Sequence, residues 1–81
     1  MDTSVILKVG DMHHLRSGKD RIVYAGMPNE AIFAIVQVKW ELLYRGFSWN
    51  LYFPKTARQI RIDGVNLAVE SVDSDAITLR G

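Results

Sequence analysis

Apolar and polar residues alternate from Val36 to Lys55, and the alternation is interrupted once. Before the interruption the chain reads Val-Gln-Val-Lys-Trp-Glu, and after it Trp49, Leu51 and Phe53 alternate with polar neighbours. Alternation with a period of two is typical of a strand that has one face buried. The pattern predicts a long β-hairpin whose turn is Tyr44-Arg45-Gly46 and whose return strand ends at Pro54.

The segment 30–44 is also compatible with a helix that begins after an Asn29 cap. Its β-branched and aromatic residues lose side-chain freedom in a helix and fit a pleated sheet better. In a strand, Gln37, Lys39 and Glu41 would all point outward together. We therefore predict a strand here and keep a helix at 30–44, packed on a sheet, as the alternative.

Short apolar runs separated by turn residues occupy the rest of the chain. They predict strands at 3–9 and 21–25, a short strand-like piece at 12–15, loops at 16–20 and 26–29, and a C-terminal meander from Gln59 to Leu79. The fold class predicted is all-β, with five to seven mostly antiparallel strands and a long central hairpin. In outline this resembles a small SH3-like, partly open barrel, although no family motif is matched.

The composition agrees with one small domain. The chain has 81 residues, of which 48% are hydrophobic and 23% charged, so it is globular and too short for a second core. It contains no cysteine, which suits a reducing compartment, and it has neither a leader pattern nor an apolar run long enough to cross a membrane. We expect a cytoplasmic protein without membrane contact.

Charge is distributed unevenly, although the net charge is only +1. The middle of the chain is basic and the end is acidic. Between residues 39 and 61 a single acidic residue, Glu41, accompanies Lys39, Arg45, Lys55, Arg58 and Arg61. From residue 62 onward Arg80 alone accompanies Asp63, Glu70, Asp73 and Asp75.

No pattern indicates catalysis. His13 and His14 follow Asp11, but adjacent side chains of an extended segment point to opposite faces, and a zinc site needs at least three protein ligands. The glycines are isolated, so no loop resembles a phosphate cradle, and no serine lies in a nucleophile motif. We expect a protein that is not an enzyme and that uses no metal or small-molecule cofactor.

The hairpin surface is the best candidate for binding, because it combines aromatic and basic residues. The predicted binding residues are Leu43, Tyr44, Arg45, Phe47, Tyr52, Lys55, Arg58 and Arg61. Tyrosine and arginine are enriched at protein interfaces, and a long hairpin offers an edge for strand addition or self-association. Aromatic rings flanked by cations also suit single-stranded RNA or DNA. The low net charge favours a protein-interaction or accessory module, with single-stranded nucleic-acid binding as the alternative.

Overall fold

A computed structural model describes residues 4–15, 20–41, 45–62 and 64–81, and these residues form strands joined by turns, with no helix among them. The all-β prediction is therefore confirmed. Within the described residues there is no helix that is long and apolar enough to span a membrane. The strands are β1 (Ser4–Lys8), β2 (Met12–His14), β3 (Asp20–Asn29), β4 (Ile32–Glu41), β5 (Arg45–Pro54), β6 (Gln59–Ile62), β7 (Val65–Val72) and β8 (Ala76–Arg80).

The strands form two antiparallel sheets of four. The first sheet has the order β1-β8-β7-β6, and the second has the order β2-β3-β4-β5. β1 and β2 belong to different sheets, although only a three-residue bend separates them. Gly10 has a φ of 92° in that bend, a backbone conformation that favours glycine, and its N–H donates to the Tyr24 carbonyl at 2.9 Å. This bend separates β1 from β2, and the described residues form eight strands, where five to seven were predicted.

The core lies between the two sheets. Ile22, Tyr24, Phe33 and Ile35 come from the second sheet, and the first sheet contributes Leu7, Ile60, Ile62, Leu67, Ile77 and Leu79. The rings of Phe33 and Phe53 pack with centroids 5.4 Å apart. β6 and β8 alternate buried residues with more exposed ones, as a sheet with one face on a core requires, whereas β4 also buries Ala34 between Phe33 and Ile35.

The helix considered for 30–44 does not form in the described residues, because Ile32–Glu41 is β4 and pairs along its whole length with β5. The loop predicted at 26–29 is also wrong, since β3 continues to Asn29. Register shifts on either side of Gly26 accommodate its φ of 91°. Pro28 is tolerated because β2 pairs only with residues 21–23, which leaves this end of β3 with a partner on one side.

The face of β4 that packs on the core is also not the predicted one. Gln37, expected to point outward, is only 4% exposed and lies on the core side with Phe33 and Ile35. Val36 and Val38 consequently face away from the core and are half-buried. Both faces of this strand carry apolar residues, so the alternation alone did not determine which face the core would take.

A buried tyrosine connects the two sheets. Tyr24 on β3 is fully buried, and its hydroxyl donates a hydrogen bond to the Asp73 carbonyl in the turn between β7 and β8. Burial, together with the nearby carboxylates of Asp73 and Asp75, raises the pKa of Tyr24. The hydroxyl therefore remains a protonated donor throughout the neutral range.

We expect Tyr24→Phe to lower the free energy of unfolding by about 1 kcal/mol, because one hydrogen bond is lost while the ring stays in the core. Urea denaturation followed by tryptophan fluorescence measures this change. Tyr52→Phe is the matched control, since Tyr52 is 58% exposed and its hydroxyl is accessible to water. Equal stability of the Tyr24 variant and the wild type would show that this bond does not stabilise the fold.

Candidate functional site

The last strand of the second sheet, β5, is an open edge. It pairs with β4 from Glu41↔Arg45 to Ile32↔Pro54, and no other strand of the described chain pairs with it. β5 is ten residues long, whereas the other edge strands β1, β2 and β6 have five, three and four residues. Unpaired edges attract further strands, so a long open edge is a site for association.

Hydrogen-bond alternation shows which peptide groups face outward on β5. The Lys55 N–H donates to the Ala31 carbonyl at 2.8 Å, so these two residues form a hydrogen-bonded pair. Such pairs alternate with non-hydrogen-bonded pairs along an antiparallel ladder. Residues 47, 49, 51 and 53 therefore bond to β4. The peptide N–H and carbonyl groups of Gly46, Ser48, Asn50 and Tyr52 are directed away from it, toward the open side.

The side chains at the edge are uncharged. No charged residue occurs from Gly46 to Pro54. Ser48, Asn50 and Tyr52 are exposed on the outer face of the sheet, and Tyr52 is 58% exposed. Trp49 points to the core side but is still 41% exposed, while Leu51 and Phe53 are packed against the core. The outer face next to this edge carries Val36 and Val38 on β4 and Val23 on β3, with Arg21 of β3 opposite Val38.

The remaining edge strands carry features that disfavour pairing. β6 is short, contains Arg61 and follows Arg58, and both arginines are exposed. β1 ends at the exposed Lys8, and β2 is only three residues long. Short length and charged side chains are common ways of protecting an edge from mispairing. Among the described edge strands, β5 alone combines a length of ten residues with a long uncharged stretch, which runs from Gly46 to Pro54 after Arg45.

The structure separates the predicted binding residues instead of gathering them. Tyr52 lies on the outer face of the second sheet, whereas Arg61 lies on the outer face of the first, between the buried Ile60 and Ile62. Lys55 and Arg58 are exposed in the connection between the sheets. Tyr52 and Arg61 therefore belong to different sheets, which share one core.

The other predicted residues belong to the hairpin end. Arg45 and Phe47 were expected at or near the turn, but their backbones already pair with Glu41 and Lys39, and their side chains lie outside the described part of the chain. Leu43 and Tyr44 also lie outside the described residues. The apolar hairpin tip therefore stays a prediction.

Two open clefts meet at Lys55, and both contain mixed charges. The larger, of about 610 Å³, is lined by Met27, Asn29, Glu30, Lys55, Asp73 and Ser74. The Asp73 carboxylate accepts hydrogen bonds from the N–H groups of Asp75 and Ala76, which hold its pKa below the ordinary value. It therefore acts as a cap for its own turn.

The smaller cleft, of about 460 Å³, runs between residues 55–58 and 69–72. Lys55 and Arg58 line one side, and Glu70, which accepts a hydrogen bond from the Ser4 hydroxyl, lines the other. Two cations and one carboxylate therefore line this cleft.

The two histidines lie on opposite faces of β2, since His13 pairs with Ile22 and His14 with Arg21. His13 is half-buried, and its burial, with a contribution from His14, lowers its pKa. Within the described residues, no three histidine, cysteine, aspartate or glutamate side chains are close enough to hold a metal ion. The geometry thus gives His13 a structural environment that favours its neutral form.

His13 should make the fold sensitive to mild acid. Its pKa is lowered from 6.5 by folding, so below pH 6.5 the unfolded chain binds more protons than the folded chain, and stability falls as the pH falls. We expect the melting temperature to decrease between pH 7.5 and pH 5.5 by less in His13→Gln than in the wild type. Identical pH profiles of the two proteins would contradict this role.

The predicted binding residues include Tyr52 of this edge strand but not its neighbours Ser48, Trp49 and Asn50. The uncharged run from Gly46 to Pro54 was the available signal. An uncharged run does not by itself indicate an edge strand, because a central strand can be uncharged as well. Comparison with protein-family models, with curated proteins and with solved structures finds no match to this chain. Its function is therefore inferred from its own surface.

Proposed function

We propose that this protein is a non-enzymatic interaction module that binds a protein partner by strand addition at β5. The observation that supports the proposal is the ten-residue open edge, uncharged from Gly46 to Pro54. In strand addition the peptide groups of the edge supply affinity, and alternate side chains supply specificity. The absence of cysteine suits a cytoplasmic site of action.

The residues around the edge favour an extended, largely apolar partner segment. The side chains of a docked strand alternate between two faces. On the outer face they meet Tyr52, next to the half-buried Val36. On the core side they meet the exposed part of Trp49. Rigid aromatic side chains of this kind are enriched among the residues that dominate binding energy.

Asn50 allows a direct test, because its N–H faces the open side and makes no bond to β4. Asn50→Pro removes that donor and places a ring against an incoming strand, whereas Asn50→Ala keeps the N–H and removes only the side chain. Peptides selected from a displayed random library on the wild-type protein are the probes. We expect Asn50→Pro to weaken their binding at least about fivefold, since one hydrogen bond contributes about 1 kcal/mol, and Asn50→Ala to leave it nearly unchanged.

Amide NMR of the labelled protein with a selected peptide locates the site. Binding at the edge should protect the amides of Ser48, Asn50 and Tyr52 from hydrogen exchange. The proposal would be wrong if the selected peptides bound Asn50→Pro as tightly as the wild type while that variant kept its thermal stability.

Nucleic-acid binding is the alternative that the exposed arginines leave open, and it predicts a different result. Single-stranded oligonucleotides should then bind with strong salt dependence, and Arg61→Glu should weaken them far more than Arg80→Glu, an equally exposed control on β8. From the separation of Tyr52 and Arg61 we expect weak binding that both substitutions reduce to a similar extent. Selective loss in Arg61→Glu would favour the nucleic-acid function.

A further inference from the structure

We propose that the partner strand at this edge is β5 of a second copy of the same chain, joined in an antiparallel pair around a two-fold axis. This inference rests on the proposed function, because it assigns the occupant of the same edge. Two copies of a strand paired around a two-fold axis are antiparallel, and their outward peptide groups are complementary by symmetry. The pairing extends the four-stranded sheet of each copy into one continuous sheet.

Charge makes the edge compatible with itself. A like charge placed opposite its own copy destabilises an antiparallel pair. β5 brings no such charge between Gly46 and Pro54, whereas β6 would place Arg61 close to its symmetry mate. The uncharged strand is therefore the described edge best suited to a second copy.

The direction of the peptide groups limits the register. Gly46, Ser48, Asn50 and Tyr52 must pair with one another, because only these residues direct their N–H and carbonyl groups outward. A two-fold axis at Trp49 pairs Ser48 with Asn50 of the second copy and Gly46 with its Tyr52. Every outward group from Gly46 to Tyr52 is then used, and Pro54, which has no N–H to donate, stays outside this set.

In the same register, the exposed surface of Trp49 is covered by the Trp49 side chain of the second copy. Across the new pair Trp49 occupies a non-hydrogen-bonded position opposite itself, and side chains are closest at such positions. An aromatic pair across two strands adds to the stability of the sheet. Trp49 is 41% exposed in the single chain, so this contact removes apolar surface from water.

Oligomeric state tests the choice of partner. Sedimentation equilibrium over a wide range of protein concentration should show a wild-type dimer. Ser48→Lys places a lysine on the edge beside the axis and should raise the dimer dissociation constant roughly tenfold or more. Ser71→Lys is the matched control on β7, which has partners on both sides, and should dimerise like the wild type. Equal dimerisation of the two variants would overturn the proposal.

Single cysteines test the register, because the chain contains none of its own. An axis at Trp49 brings the Cα atoms of residue 49 in the two copies to about 4.5 Å, within the range of a disulfide, while Ser48 and Asn50 are each displaced diagonally from their own mates. Under mild oxidation Trp49→Cys should form covalent dimers faster than Ser48→Cys or Asn50→Cys. Faster dimer formation by either control would show that the axis lies elsewhere.

Failure of this inference can be told apart from failure of the proposed function. A wild-type protein that is monomeric at every concentration removes the second copy as occupant. If selected peptides still lose affinity in Asn50→Pro, strand addition stands and the partner is a different protein. If the peptides are also insensitive to Asn50→Pro, both proposals are wrong.

Discussion

The packing of Phe33 and Ile35 into the core is the constraint on which the second sheet depends. Side chains alternate along a strand, so once these two residues face the first sheet, Val36 and Val38 must face away. Paired residues of β4 and β5 lie on the same face of the sheet. Phe53 therefore packs on Phe33 in the core, and Tyr52 faces away from the core. The direction of each peptide group alternates with the same period. The core contact therefore also determines which peptide groups of β5 face the open edge.

Much of the fold could be predicted from local patterns. The alternation and the β-branched residues indicated β4, and Pro54 indicated the end of β5. The facing of β4 could not be predicted, because Ile32, Ala34, Val36 and Val38 form an uninterrupted apolar set, whereas the set that faces the core contains Gln37 beside Phe33 and Ile35. The ring of Phe33 is fully buried and packs on Phe53. Gln37 was then buried by its position in the alternation and not by its chemistry.

The candidate site was less predictable than the fold, since an edge is a property of topology. The sequence contains the uncharged run at 46–54, but only the sheet order shows that no described strand lies beyond it. The basic residues illustrate the opposite case. Arg61 and Tyr52 are close in sequence, yet the chain passes from one sheet to the other between them, and the two exposed side chains belong to different sheets.

The edge strands differ in the charged residues that prevent unwanted strand pairing, and β5 has none from Gly46 to Pro54. A single lysine facing outward at Ser48 or Asn50 would protect the strand at little cost in stability, because both side chains are exposed and neither contributes to the core. Other edges of this fold already have such charges, at Lys8 and Arg61. An open edge of ten residues invites unwanted pairing unless it is occupied. Its neutral, partly apolar character is therefore best explained if another strand covers it in the functional state.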